Sequence, residues 1–366
     1  MRDHRLSSAQ IIVGDCRDVL AKMESEPVRC IITSPPYFGL RDYEHGDQIG
    51  LESAPDEYVA ELVAVFHEAR RVLADDGTLW LNLGDSYVTA PKGSGGVSGL
   101  GGRPNLPSVR RNAPELKQKD LIGAPWRVAL ALQTDGWYLR SDIIWAKPNP
   151  LPESVTDRCT KSHEYLFLLS KSARYFYDAK AISEDAVTGS NGSEFDTGKT
   201  GEHQLGRAQK RHDPGQERTA WAAPGQTAQM TKRARSRFGD SKPDNEYESA
   251  GRRNKRDVWT IPTRSFTGAH FAVMPTALVE PCVLAGSQEG DLVLDPFAGS
   301  GTVGVVALRH QRNFVGIELN PEYAKMAVER IKDDAPLLNA VTVLRPKEQR
   351  QEVGAFKAPT DFRLDT

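Results

Sequence analysis

The sequence of 366 residues lacks the features that would mark a membrane, secreted or metal-bound protein. It has no long apolar run, and Met1-Arg2-Asp3-His4 opens no leader pattern, so neither a membrane span nor a secretory signal is expected. Its four cysteines, Cys16, Cys30, Cys159 and Cys282, are scattered, with no C-x-x-C pair. That argues against a zinc site, or any metal, and against a disulfide framework, and it fits a reducing cytoplasm. There are no internal repeats. The formal net charge is only -2, so the chain as a whole does not announce a polyanionic partner. A hydrophobic share of 39% suffices for a packed core, and the length allows one large α/β domain with insertions or two domains.

What is present alternates. Ile11-Ile12-Val13 and Val28 to Thr33 are short apolar runs closed by turn residues, and they predict buried strands. Gly77 to Leu83, Tyr138 to Ala146, Tyr165 to Ser170, Leu292 to Leu294 and Asn313 to Ile317 predict five more. Asp56 to Leu73 places Val59, Leu62, Val63 and Phe66 at helical spacing. Leu121 to Thr134, ended by Gly136, and Gly301 to about His310 predict further helices. Strands alternating with helices imply a doubly wound, mainly parallel sheet.

Two stretches break the rhythm. Ala90 to Lys119 carries Gly93-Ser94-Gly95-Gly96 and Gly99-Leu100-Gly101-Gly102, then Arg103, Arg110 and Arg111. Ser190 to Arg256 holds 14 basic against 9 acidic residues, a local excess in a chain that is otherwise acidic. Such segments are ordinarily flexible surface loops, but their length inside a compact domain also fits a functional insertion.

Two short motifs carry the chemistry. Asp291-Leu292-Val293-Leu294-Asp295 ends a strand in a carboxylate, and Pro296-Phe297-Ala298-Gly299-Ser300-Gly301-Thr302 then turns into a helix. Ligands of open α/β sheets bind at this edge. About 20 residues on, Glu318 ends the next strand, the spacing at which an acid accepts ribose hydroxyls. There is no Walker lysine and no G-x-G-x-x-G, so a nucleoside cofactor fits better than a dinucleotide. Near the N-terminus, Ser34-Pro35-Pro36-Tyr37 follows a strand directly. Two prolines fix the backbone and remove N–H donors. The Ser34 hydroxyl and the Pro35 carbonyl then offer the two acceptors that an exocyclic amine needs, and Tyr37 offers a face for stacking on a base. Either motif alone is compatible with a plain turn.

Together these residues resemble the amino-methylating DNA methyltransferases that use S-adenosylmethionine, specifically their circularly permuted β group. The resemblance covers about residues 10–180 and 258–332. It implies the family's α/β fold, with the Leu292 strand beside the Cys30 strand and an inserted target-recognition region. It makes Ser34, Pro35, Pro36 and Tyr37 the catalytic motif. Asp295, Pro296, Phe297, Gly299, Ser300, Gly301 and Thr302 become the cofactor loop, and Glu318 the ribose acid. Phe271 and Pro275, in Phe271-Ala272-Val273-Met274-Pro275, resemble the segment flanking the methionine part of the cofactor. Asp15 and Cys16, after Gly14, resemble the turn that reads adenine. Asp142 to Asn149 and His163-Glu164-Tyr165 resemble a segment lining the target pocket.

The implied organisation is a catalytic half over 1–180, a target-recognition insertion over 181–257, a cofactor half over 258–335 and a tail over 336–366. The implied partner is double-stranded DNA, held at Arg103, Arg110, Arg111, Arg252, Arg253, Lys255 and Arg256. A companion restriction endonuclease is allowed and the oligomeric state is left open. Ser in the first motif position is associated with cytosine N4 and Asp with adenine N6, so cytosine N4 is expected and adenine N6 is the alternative. A non-catalytic module of the same fold, or an enzyme acting on RNA or protein glutamine, are the other readings. The intact Ser-Pro-Pro-Tyr opposes the module and the basic insertion opposes the protein substrate. Pro281-Cys282 is the dipeptide that C5-cytosine enzymes use as a nucleophile, but here it falls in a predicted helix, Pro275 to Leu284, and Cys282 is read as a small buried hydrophobe. His163 and Glu164 fit either an acid–base pair or a structural hydrogen-bonded pair.

Overall fold

A computed structural model describes residues 7–25, 27–40, 45–88, 116–185, 252–263, 273–335 and 340–344. Arg103, Arg110, Arg111 and Phe271, and most of the two irregular stretches and of the tail, lie outside the described residues. The chain divides into two units, Met1–Ile182 with Lys255–Thr366, and Ser183–Asn254. Of the second unit, the structure describes an antiparallel pairing of β6 (Glu184–Asp185) with β7 (Arg252–Arg253).

The first unit is built on one nine-stranded sheet. Its N-terminal part supplies β1 (Ser8–Val13), α1 (Cys16–Lys22), β2 (Val28–Thr33), α2 (Pro55–Val72), β3 (Leu73–Leu83), α3 (Ala124–Thr134), β4 (Tyr138–Ala146) and β5 (His163–Ser170). Its C-terminal part supplies β8 (Val258–Thr260), α4 (Thr276–Gly286), β9 (Leu292–Asp295), α5 (Thr302–Arg309), β10 (Asn313–Glu318), α6 (Pro321–Asp334) and β11 (Ala340–Leu344). The strand order is β11-β1-β10-β9-β2-β3-β5-β4-β8. All neighbours are parallel except β5, which runs antiparallel to both β3 and β4. The two parts therefore interleave: β2 pairs with β9 through Cys30↔Val293 and Ile31↔Leu294, and β1 pairs with β10 up to Val13↔Glu318.

The near-continuous apolar runs of β2 and β9 follow from burial on both faces. Ile31, Leu79 and Leu81 enter the core shared with α1, α2 and α3. Their neighbours Cys30, Ile32 and Trp80 enter the core shared with α4, α5 and α6. Helix α2 buries Tyr58, Leu62, Val65, Phe66, Ala69 and Val72 at helical spacing. Its Asp56 and Glu57 sit in the first turn and Arg70 and Arg71 in the last, each at the favourable end of the helix dipole. Among the described residues no helix is long and apolar enough to cross a membrane.

Helix α4 approaches the sheet so closely that Gly286 has no room for a side chain. A Cβ there would lie 2.6 Å from Cys30 Sγ and 2.9 Å from both Thr78 Oγ1 and Trp80 Nε1. Gly286→Ala is therefore expected to destabilise the protein by about 1–3 kcal/mol through overpacking. Urea denaturation checks this, and an unchanged midpoint would contradict the tight seat of α4.

Candidate active site at the carboxyl edge of the sheet

Strand direction decides which residues meet. Strands β1, β2, β3, β4, β9 and β10 all end at one edge of the sheet, and antiparallel β5 begins there. Asp15, Ser34, Asn82, Lys147, Glu164, Asp295 and Glu318 consequently line one cavity of about 280 Å³. Both sequence motifs open into it.

On the β9–β10 side, Asp295 is 1% exposed and its Oδ1 accepts from Thr33 Oγ1 at 2.6 Å and from the Phe297 N–H at 3.0 Å. Burial pushes its carboxyl up to about 7 against the lowering effect of those two bonds, and the charge of Glu318 adds to the rise. Glu318 holds the Gly299 N–H on Oε2 at 2.8 Å and the Asn320 N–H on Oε1 at 2.9 Å, and burial raises its pKa as well. The cavity thus presents a buried acid, Asp295, and a half-buried one, Glu318, that suit a ligand rich in hydroxyl and ammonium donors. Gly299 and Gly301 take left-handed backbone angles, φ 51° and 75°, which only glycine adopts freely.

The cofactor residues expected from the sequence separate here. Asp15, Cys16, Pro296, Phe297, Gly299, Ser300 and Thr302 line the cavity with Asp295 and Glu318. Gly301 does not: it caps α5, and a Cβ on it would come within 2.9 Å of Ala327 Cβ. Pro275 caps α4 and is buried, while the adjacent Val273 and Met274 face the cavity. Asp15 caps α1, accepting from the Arg17 N–H at 2.8 Å, and pairs with the Arg17 guanidinium at 2.6 Å. Burial pushes its carboxyl up, but the Arg17 hydrogen bonds and charge outweigh that and leave it below the ordinary carboxylate value. Arg330 on α6, not legible in any motif, donates to Ser300 Oγ and Thr302 Oγ1, each at 2.8 Å, and so holds the loop from behind.

On the β2 side, the Tyr58 hydroxyl donates to the Pro36 carbonyl at 2.9 Å and anchors the turn. Ser34 Oγ donates to Tyr37 Oη at 3.2 Å, and Tyr37 Oη donates to Glu164 Oε2 at 2.7 Å. Burial and the Glu164 carboxylate hold the phenol well above its ordinary pKa. The Tyr37 ring lies against Gly84, where a Cβ would come within 2.5 Å of Cε2. Asn82 on β3 donates to the Tyr165 carbonyl at 3.0 Å and to Glu164 Oε2 at 3.2 Å. The Lys147 ammonium pairs with Glu164 Oε1. His163 and Glu164 do not share a face. Successive strand residues point to opposite faces, so His163 packs on Tyr165 with ring centroids 5.3 Å apart while Glu164 enters the cavity.

The basic residues expected on DNA are placed as follows. In the smaller unit, Arg252 bonds to Ser183 and pairs with Asp185 at 3.3 Å, and Arg253 pairs with Glu184 at 3.0 Å. In the larger unit, Lys255 Nζ lies 5.0 Å from the centroid of the Trp259 ring, and the Arg256 carbonyl accepts from Trp259 Nε1 at 2.7 Å. Cys282 is 1% exposed inside α4, its thiol directed at the Leu278 carbonyl at 3.2 Å, and it does not line the cavity. All four cysteines are free, and no cluster suited to a metal ion occurs among the described residues.

The elevated Asp295 carboxyl has a consequence for stability. In the folded protein it keeps its proton up to about pH 7, whereas the ordinary value is 3.8. Between these values the folded state binds more proton than the unfolded one, so the contribution of this group to stability falls as pH rises and is level above pH 7. Asp295→Asn keeps an oxygen for Thr33 and Phe297 but cannot ionise. Without cofactor, its melting temperature relative to the parent should climb from pH 4 to 7, reaching a gain on the order of a few degrees at pH 8. Calorimetry against pH checks this, and a difference that is the same at every pH contradicts it.

Comparison with known proteins agrees with this geometry. The N6/N4 methyltransferase family model, described as a DNA methylase, matches residues 28–329. Type II methyltransferase M.Cfr9I of Citrobacter freundii is 44% identical over 330 residues, covering 90% of this chain and 89% of that protein. Type II methyltransferase M.SmaI of Serratia marcescens is 45% identical over 334 residues, covering 90% and 92%. A protein described as a DNA modification methylase of Thermus thermophilus, solved with S-adenosyl-L-methionine, shares the fold with a TM-score of 0.53 at 23% identity, over 92% of this chain and 98% of that one. The cytosine-N4-specific PvuII DNA methyltransferase does so with a TM-score of 0.52 at 17% identity, over 92% and 98%. A family match across most of the sheet, together with relatives above 40% identity along nearly the whole length, means that the chain belongs to the N6/N4 family of DNA methylases.

Proposed function

We propose that the protein is a site-specific DNA methyltransferase that moves a methyl group from S-adenosylmethionine to N4 of a cytosine flipped out of duplex DNA. One observation carries the reading: the bond from Thr33 to Asp295 joins the Ser-Pro-Pro-Tyr turn to the acidic loop, so an amine acceptor and a nucleoside site share one cavity. The cofactor supplies an activated methyl on a sulfonium. The residues that fit it are Glu318, for ribose hydroxyls, and the loop Asp295 to Ser300 with Thr302, whose one buried acid, Asp295, suits its cationic, donor-rich end.

Ser34 Oγ and the Pro35 carbonyl accept the amine hydrogens, hold the amine lone pair in line with the methyl, and favour its tetrahedral form. Tyr37 stacks on the flipped base, which cannot be reached inside a duplex. Transfer is direct, and no thiolate is needed. Ser34 in the first motif position supports cytosine N4 over adenine N6. Residues 181–257 form the target-recognition insertion between a catalytic half and a cofactor half. Its Lys255 and Arg256, with Arg103, Arg110 and Arg111 from outside the insertion, hold phosphates, and its Arg252 and Arg253 exchange their acidic partners for phosphate. The likeness to named Type II methyltransferases supports a place in a restriction–modification system.

Two tests follow from this reading. Glu318→Ala should weaken S-adenosylmethionine binding by about 1.5–3 kcal/mol, the worth of charge-assisted hydrogen bonds, and unchanged affinity by calorimetry in a folded variant would remove Glu318 from the site. Ser34→Ala should leave cofactor and DNA affinity in place while single-turnover methyl transfer drops by about 10²-fold. Cys282→Ser should transfer at nearly the parent rate. The reverse pattern, with the Cys282 variant dead and the Ser34 variant active, would mean attack on carbon rather than nitrogen.

A further inference from the structure

Glu164 and Lys147 belong to neither motif, yet their charges sit at the back of the amine site with side chains only 16% and 17% exposed. An ion pair drawn this far out of water is costly to assemble and needs a reason. We propose that Glu164 is a positioning residue that fixes the direction of the Ser34–Tyr37 hydroxyl chain, so that Ser34 presents lone pairs and not its proton to the target amine. The inference deepens the reading of Ser34 as an amine acceptor and rests on it.

Donors and acceptors must match at every link of this chain. A hydroxyl has one proton and can point it either way, and a carboxylate can only accept. Tyr37 Oη lies 2.7 Å from Glu164 Oε2, so the phenol must donate to Glu164, and its single proton is spent there. Toward Ser34, 3.2 Å away, Tyr37 can then only accept, which makes Ser34 the donor and turns its lone pairs to the cavity. Reversing the chain would aim the Ser34 proton at the amine. There it would clash with the amine hydrogens or occupy the lone pair that must attack the methyl.

The surroundings hold this polarity. Asn82 donates to Glu164 Oε2 and to the Tyr165 carbonyl, which fixes its amide and leaves Oδ1 facing the Tyr37 hydroxyl at 3.2 Å as a second acceptor. Asn82 therefore offers Tyr37 no donor. Lys147 supplies the counter-charge at the other Glu164 oxygen and lies 4.3 Å from the centroid of the Trp145 ring. Ser34 and Tyr37 share the turn after β2, whereas Asn82 comes from β3 and Glu164 from β5, so the alignment of the acceptors on Tyr37 is not a by-product of one local fold.

The test is a double-mutant cycle on the full chain, read by single-turnover transfer and by calorimetric affinity for cofactor and for duplex DNA. Glu164→Gln keeps the shape but can offer an N–H to Tyr37, and this frees the phenol proton to be shared between Asn82 Oδ1 and Ser34 Oγ, each 3.2 Å away, so that Ser34 is no longer held as the donor. Its transfer rate should fall about 10–100-fold with both affinities within about twofold of the parent. Tyr37→Phe keeps the ring and removes the hydroxyl through which Glu164 acts. It should also be slow, and adding Glu164→Gln to it should cost nothing further.

Losses that multiply in the double variant, or a Glu164→Gln protein as fast as the parent, overturn the inference. If Glu164→Gln fails to fold, Tyr37→Phe carries the test alone, and an unchanged rate there overturns it. Ser34→Ala in the same assay separates the two levels. A slow Ser34→Ala beside a fast Glu164→Gln sinks only the hydroxyl chain, whereas a fully active Ser34→Ala sinks the amine site beneath it.

Discussion

The hydrogen bond from Thr33 to Asp295 spans 262 positions of sequence and 2.6 Å of space. It forms because β2 and β9 lie side by side, parallel and in register, so that both strands deliver their last residues to the same edge. Everything chemical in the molecule hangs on that adjacency. If β9 paired elsewhere, the acidic loop would open at one place and Ser34 at another. The bond also gives the buried Asp295 a partner, which an isolated carboxyl at that depth requires.

The same edge concentrates groups that oppose folding. Asp295 and Glu318 are both raised by burial, and the Glu318 charge raises Asp295 further. Glycines at left-handed angles add backbone entropy that folding must overcome. Cores on both faces of the sheet offset these costs, with fully buried Trp80, Tyr58, Phe66, Phe167 and Phe314 among their largest members. A site that stores cost in its acids is where stability and function trade against each other.

Strands were legible in the sequence where burial on both faces writes an apolar run, as in β2 and β9, and α2 was legible from its spacing. Helix α1, seven residues behind the cap Asp15, is too short for a periodic signal. Helix α6 was not read in the sequence, although Asn320-Pro321-Glu322 carries a capping signal, an N-cap followed by proline in the first turn, with Asn320 accepting from the Glu322 N–H at 2.9 Å. Site residues were legible only where they are contiguous. Ser34 to Tyr37 and Asp295 to Ser300 stand out as motifs. Lys147 and Glu164 were legible only as members of segments that resemble a pocket lining, and Asn82 on β3 and Arg330 on α6 stand in no motif; strand order and direction bring them to the site. Gly301 shows the opposite limit, since a motif position required by the turn need not line the cavity.

The most direct measurement of the central claim is the identity of the methylated nucleoside. Purified protein, duplex DNA and S-adenosylmethionine carrying a labelled methyl are incubated, and the DNA is digested and resolved by mass spectrometry. The account predicts label in N4-methylcytosine, made at the joined cavity of Ser34 and Asp295. Label in N6-methyladenine would keep the amine site and overturn the choice of base, and label in 5-methylcytosine would contradict the account at its root.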